Sequence, residues 1–329
     1  MRVLVTGGNR YIGLELVRRL AADGHDVTVA NSHEVELPDG ARRIHVDRRI
    51  AGALTTALTP VRDSFDAVFD NTAFTTDDLA PMVELFRGRV QHFVFTSSTA
   101  VYRRSFVQPV REDFRTHDPA DEDPRKAYGV HKVRCEQLLA AEHAANGFPS
   151  TVLRVSHTLG PRSPLVTRDP IFFRRLEHGL PIFLPNDGFA FVSLVHVADV
   201  AGAMVAVLGS AQAAGRTYNV AGTEITSIAG AVHLMARAVG VEPHIVPVPL
   251  DLARRQRPPL VHWGEAIMGG TIYSVDALQA ELGWRPRFGL EDGYRDSYEW
   301  FCAEGRDLYD YDTSGDDDVL ATLRSGGSE

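Results

Sequence analysis

The sequence predicts an α/β protein, a doubly wound parallel sheet followed by a smaller C-terminal lobe. Three observations predict it. Short apolar runs rich in β-branched residues alternate with helix-length segments through the first half. The first run, Val3-Leu4-Val5, ends in the turn Thr6-Gly7-Gly8, and a helical pattern opens at Gly13. From about Gly160 the chain becomes richer in proline (Pro161, Pro164, Pro170, Pro181, Pro185) and its segments shorten.

Taken in order, strand patterns follow at 25–30, 43–46, 67–69, 92–95 and 151–155, with helices at 13–20, 79–86 and, much longer, 125–146. In the second half 194–208, 228–239 and 294–303 read as helical. The expected division is a dinucleotide-binding domain over 1–160 and a mainly substrate-binding lobe over 161–309, some of whose segments return to the first domain. An acidic, glycine- and serine-rich tail over 310–329 is expected to be flexible.

The first thirteen residues, MRVLVTGGNRYIG, carry the first chemistry. A strand feeding a glycine turn that opens a helix suits a pyrophosphate. The glycines admit the anion to the backbone, and the helix N-terminus supplies unpaired N–H groups and partial positive charge. The sheet is therefore expected to be of Rossmann type, with Gly7, Gly8, Asn9, Arg10, Tyr11, Ile12 and Gly13 around the cofactor.

The second cluster is Tyr128-Gly129-Val130-His131-Lys132. Residues four apart share a helix face, and a lysine ammonium favours the phenolate of a tyrosine that otherwise titrates near ~10. Taken alone, such a pair is commonly a solvated helix face. Upstream, Phe93-Val94-Phe95-Thr96-Ser97-Ser98-Thr99-Ala100-Val101-Tyr102 is a strand ending in a hydroxyl-rich turn, which can hold a substrate oxygen or simply cap the next segment.

With the glycine loop, the hydroxyl turn and the Tyr/Lys pair in this order, the chain resembles an extended short-chain dehydrogenase/reductase of the sugar epimerase/dehydratase branch, from Met1 to about Trp300. The resemblance implies a Ser98-Tyr128-Lys132 site: Tyr128 as acid/base, Lys132 on the nicotinamide ribose and lowering the tyrosine pKa, Ser98 orienting substrate. Cofactor contacts are expected from Asn31, Ser32, Asp47, Asn71, Thr72, Ala73, Ser97 and Val155 as well, and substrate contacts from Thr75, Ser98, Thr99, Tyr128, His157 and Arg162. LRVSHTLGPR and SLVHVADVA resemble the branch's substrate-side segments, and homodimerisation through the tyrosine helix is common in it.

Several positions depart from the branch's pattern. Arg10 replaces the middle glycine, and Asn31-Ser32 stands where NAD-preferring members place an acid. With no carboxylate to repel a 2′-phosphate and Arg10 to pair with one, the expectation leans to NADP over NAD. The Asp-Glu pair that dehydratases use for elimination is Thr99-Ala100 here, which argues against dehydration. The usual diphosphate-binding arginine falls at Val192 and an asparagine at His157; Arg162, Arg168 and Arg174 are the nearest substitutes. The expected activity is NAD(P)-dependent hydride transfer at a secondary alcohol or ketone of a sugar-like substrate, as epimerase or ketoreductase.

The arginine-bearing loop also resembles chloroplast stem-loop RNA-binding relatives, so the alternative is a cofactor-binding RNA-binding or regulatory protein without turnover. A net charge of -9 argues against nucleic acid. The two cysteines, Cys135 and Cys302, have no metal-ligand spacing, so no metal is expected. No stretch reads as a membrane span or signal peptide, and the expected setting is the cytoplasm.

Overall fold

Apolar strand patterns without polar alternation belong in a sheet covered on both faces, and that is how the first half folds. The computed structural model describes residues 1–34, 36–164, 169–255, 270–308, 313 and 315–325. In chain order the elements are β1 (Arg2–Thr6), α1 (Tyr11–Ala22), β2 (Asp26–Asn31), β3 (Arg42–His45), α2 (Ala53–Leu58), β4 (Ala67–Asp70), α3 (Thr76–Phe86), β5 (His92–Ser98), α4 (Ala127–Asn146) and β6 (Ser150–Val155). There follow β7 (His157–Leu159), α5 (Asp169–Glu177), β8 (Ile182–Pro185), β9 (Phe191–His196), α6 (Val197–Val207), β10 (Thr217–Val220) and β11 (Ile225–Ser227). The last elements are α7 (Ile228–Val239), β12 (Ile245–Val248), α8 (Leu250–Arg255), α9 (Asp276–Leu282), α10 (Leu290–Trp300) and α11 (Asp316–Ser325).

Contacts divide the chain into two compact units. The first comprises Met1–Thr158, Val197–Ala221 and Tyr273–Arg287. It holds a seven-stranded sheet in the order β10-β6-β5-β4-β1-β2-β3, parallel throughout. Order reverses at β1: the chain adds strands outward from β1 to β3 on one side and from β4 to β10 on the other, which leaves a crevice at the strands' carboxyl ends. The register places Thr6 opposite Asp70, and Ser98 opposite Val155, at that same end. Val3, Leu4, Val5, Val68, Phe69, Phe93, Val94 and Phe95 are fully buried, as strands covered by helices on both faces require.

The second unit comprises Leu159–His196, Gly222–Ile272 and Phe288–Glu329. Its core gathers Phe172, Phe173, Leu184, Val192, Leu194, Met235, Tyr294 and Phe301. Two expectations are corrected here. The helix read over 194–208 begins only at Val197, because Phe191–His196 is a strand whose largely apolar run cannot be told from a helix by periodicity. The tail read as flexible contains α11, whose Val319 is fully buried beside Phe183, Val248 and Leu252. Its three aspartates fill the first turn, where the helix dipole favours negative charge. No helix of the described residues is long and apolar enough to cross a membrane.

Candidate active site

The glycine loop closes as the sequence requires. Gly7 has φ +71°, and a Cβ on Gly13 would stand 1.9 Å from the Gly7 carbonyl oxygen. Only glycine lets the turn and the start of α1 approach this closely. Arg10, at the N-cap, offers no side-chain cap to α1, so the first-turn N–H groups keep their donors for a ligand. Arg10 itself is exposed. Tyr11, with φ 47°, donates from its hydroxyl to the Thr158 carbonyl at 2.6 Å and pins the loop to the chain just after β6.

Beneath this loop lies a buried ion pair that sequence reasoning missed. Asp70, fully buried at the end of β4, accepts from Arg48 Nη1 at 2.7 Å and Nη2 at 3.1 Å. The same carboxylate accepts from Thr6 Oγ1 at 2.8 Å and from the Thr72 and Ala73 amides at 3.0 Å each. Burial disfavours its charge, but Arg48 and these donors prevail and hold its pKa below the usual range. An arginine following a strand and an aspartate ending one are the only traces of this pair in the sequence.

Ser98 and Tyr128 come together. Ser98 ends β5, and its hydroxyl accepts from the Ala100 amide at 3.1 Å while also reaching the Tyr128 side chain. A glycine makes that meeting possible: a Cβ on Gly129 would lie 2.2 Å from the Ala100 carbonyl oxygen, so the first turn of α4 rests directly on the β5 turn. Tyr128 keeps 47% of its surface exposed, yet desolvation at its hydroxyl raises the pKa, and the nearby Ser98 side chain only partly opposes this.

Lys132 is turned inward. Its Nζ donates to the Ala73 and Thr96 carbonyls, both at 2.8 Å, and sits 4.6 Å from the Phe95 ring centroid and 5.1 Å from that of Phe74. Burial lowers its pKa to about 8. The expectation that Lys132 lowers the Tyr128 pKa is therefore not met in this state; the ammonium is bound to carbonyls, and desolvation governs the phenol. Phe74, 53% exposed with its ring 6.1 Å from that of Tyr128, adds an apolar wall that the sequence did not flag.

A rigid polar network supports α4 from behind. Arg154 on β6 donates to Glu136 on α4 at 2.7 Å and to the Tyr102 hydroxyl at 2.8 Å, and Tyr102 donates to Asn219 at 2.7 Å. Ser97 donates to Glu136 at 2.5 Å, so this hydroxyl, expected at the cofactor, belongs to the scaffold. Burial pushes the Tyr102 pKa up to about 12.

Three further expected contacts have other partners. Thr75 caps α3 reciprocally with Asp78, its Oγ1 accepting from the Asp78 amide at 3.3 Å and donating to the carboxylate at 3.0 Å. Asp47 is held by Arg49 through the backbone amide and the guanidinium, which brings its pKa down to about 2. In the second unit Arg162 pairs with Glu304 at 2.9 Å. Arg168 lies outside the described residues. Thr99 is buried, His157 half-buried, and Val155 contributes a buried side chain at the end of β6.

The carboxyl ends of the strands fit a dinucleotide on their own atoms. Asn31 at the end of β2 is buried with neither Nδ2 nor Oδ1 hydrogen-bonded; Asn71 Nδ2 after β4 and Ser156 Oγ after β6 are likewise buried without a partner. Buried polar groups are almost always paired, and each one left unpaired costs about 1–3 kcal/mol. Together with the uncapped start of α1, they are the groups a ribose, a diphosphate and an amide would satisfy. Among the described residues no cluster of His, Cys, Asp or Glu is arranged to hold a metal ion.

A sequence model of the NAD dependent epimerase/dehydratase family matches residues 3–221, two thirds of the chain. The chain belongs to that family. Membership makes it one of a family of NAD(P)-binding enzymes with oxidoreductase and epimerase chemistry. Among curated relatives, a chloroplast stem-loop binding protein of 41 kDa from Arabidopsis thaliana is 28% identical over 97% of this chain and 84% of its own. A 2′-dehydrokanamycin reductase from Streptomyces kanamyceticus is 29% identical over 65% of this chain and 60% of its own. Among solved structures, the UDP-glucose 4-epimerase of Thermus thermophilus, in complex with NAD, superposes with a TM-score of 0.74 at 24% identity, covering 92% of this chain and all of the other. That similarity establishes the Rossmann-type fold. The lean to NADP finds no support: Arg10 is exposed, and the dinucleotide named in the complexes of similar fold is NAD.

Proposed function

We propose that this family member catalyses NAD(P)-dependent hydride transfer at a secondary alcohol or ketone of a sugar-like substrate, as a ketoreductase or epimerase. The observation that carries the reading is the meeting of the Ser98 and Tyr128 side chains at the turn after β5, with Lys132 one helical turn further along α4. A bound nicotinamide supplies or accepts the hydride. The protein's part is positional and acid–base. Ser98 holds the reacting oxygen. Tyr128, a phenol at neutral pH whose pKa desolvation raises further, donates its proton to the oxygen that gains negative charge as a ketone is reduced. In the reverse sense the Tyr128 phenolate takes the proton from the substrate hydroxyl as the hydride leaves.

Phe74, whose ring lies 6.1 Å from that of Tyr128, offers an apolar surface to the apolar side of a sugar. With Thr99 and Ala100 beside Ser98, no acid–base pair stands ready for elimination, so dehydration is not part of the proposal. For the cofactor we favour NAD. Asn31 brings a neutral, buried amide to the place of the adenosine ribose, and neither of its atoms carries charge for a 2′-phosphate.

The test is a panel of sugar ketones with NADH and NADPH, on wild type and Tyr128→Phe. Turnover in the wild type that falls about 10²- to 10⁴-fold in the variant, with cofactor affinity retained, is the expected result. Equal turnover in both removes Tyr128 from the chemistry. A second reading is favoured by the Arabidopsis relative, whose name speaks of stem-loop binding. Under it the same fold would bind RNA without turnover.

A further inference from the structure

We propose that the buried Arg48–Asp70 pair is a positioning device for Lys132, acting on it through the Ala73 carbonyl. The route is continuous. Asp70 Oδ1 accepts from the amides of Thr72 and Ala73, at 3.0 Å each, which fixes the chain just after β4. The carbonyl of that same Ala73 then receives Lys132 Nζ at 2.8 Å. Arg48 clamps the far side, donating to both carboxylate oxygens and also to Thr72 Oγ1 at 2.5 Å and the Asp78 carbonyl at 3.0 Å. One guanidinium thereby ties together the segment after β3, the end of β4 and the start of α3, in a site where its side chain is 14% exposed.

The pair acts on Lys132 through charge as well as place. The charged and titratable groups facing the ammonium are Cys135 and Glu136 on its own helix, Asp70 at the end of β4 and Arg48 after β3. Asp70 favours the protonated lysine and Arg48 opposes it, with Asp70 the stronger of the two. In a low-dielectric interior such effects are not screened.

The two halves of the pair must therefore move Lys132 in opposite directions. This inference rests on the proposed role of Lys132, so the experiment reads the lysine first and turnover second. The Lys132 ammonium is titrated by NMR of isotope-labelled lysine in the cofactor-free protein, assigned by its loss in Lys132→Met. In Asp70→Asn the midpoint is expected to fall, and in Arg48→Met to rise, each by roughly threefold in proton affinity. The alkaline limb of the kcat–pH profile should follow the same two directions.

Unchanged midpoints, or shifts of the same sign, overturn the proposal. Should either single variant fail to fold, the Asp70→Asn/Arg48→Met double variant removes both buried charges. Its midpoint is expected below that of the wild type, because the stronger influence is lost; an unchanged midpoint again overturns the claim. If Lys132→Met turns over like the wild type, the catalytic reading fails separately, and the midpoints still decide whether the pair governs the lysine.

Discussion

Lys132 gives the protein two opposed responses to pH. Its pKa is about 8 in the fold and 10.5 in an exposed chain. Between those values the unfolded chain binds the extra proton, so stability from this group rises with pH across the window. Below about 8 both states are protonated and burial of the ammonium is a constant cost. Under the proposed function activity runs the other way, because a neutral lysine would no longer offer a charged donor to a bound cofactor ribose. We expect chemical denaturation to show a steeper gain in stability between pH 8 and 10.5 for the wild type than for Lys132→Met, while kcat falls over the same range. Parallel stability curves would mean that the lysine titrates as an exposed one. Four of the expected contact residues already have partners within the fold. Asp47, Thr75, Ser97 and Arg162 have the right chemistry at the right chain positions, but Arg49, Asp78, Glu136 and Glu304 satisfy them first. A partner 142 positions away, as for Arg162, leaves no local trace.

At the scale of elements, the alternation of apolar runs and helices was legible because buried parallel strands and amphipathic helices have different periods. The position of α4 on the β5 turn was not. YGVHK suggests a Tyr/Lys helix face, but the glycine between them carries its own geometric demand, visible only once the Ala100 carbonyl oxygen is found 2.2 Å from the place of its Cβ. Gly129→Ala must push α4 off that turn or strain it. Such overpacking typically costs about 1–3 kcal/mol, and it parts Ser98 from Tyr128. We expect a lowered unfolding midpoint in denaturant together with a loss of kcat of roughly tenfold or more, as misplacement of reacting groups produces. A variant with the predicted loss of stability but wild-type kcat would show that α4 tolerates the displacement. The tail failed for a compositional reason: a run of aspartates, glycine and serine scores as disorder unless one sees Val319 buried behind it.

For the whole molecule, the balance of charge separates the two functional readings. With 43 acidic and 34 Lys and Arg residues the chain carries -9. Many of its arginines are also committed internally: Arg48 to Asp70, Arg154 to Glu136, Arg175 to Asp316, Arg162 to Glu304. A guanidinium already paired with a carboxylate presents little net charge to a phosphate backbone, and nucleic-acid affinity depends on releasing counterions from several phosphates at once. The carboxyl ends of the strands offer the opposite kind of site. Neutral amides of Asn31 and Asn71, the Ser156 hydroxyl and uncapped helix N–H groups are suited to one small, partly neutral ligand. In fluorescence titrations against a stem-loop RNA at about 50 and about 200 mM salt, we expect no saturable binding at the lower salt, and saturable binding of NADH by its own fluorescence at both. An RNA affinity that drops about 10³-fold or more between the two salts would require roughly six or more phosphate contacts. That result would replace the small-molecule reading with the RNA-binding one.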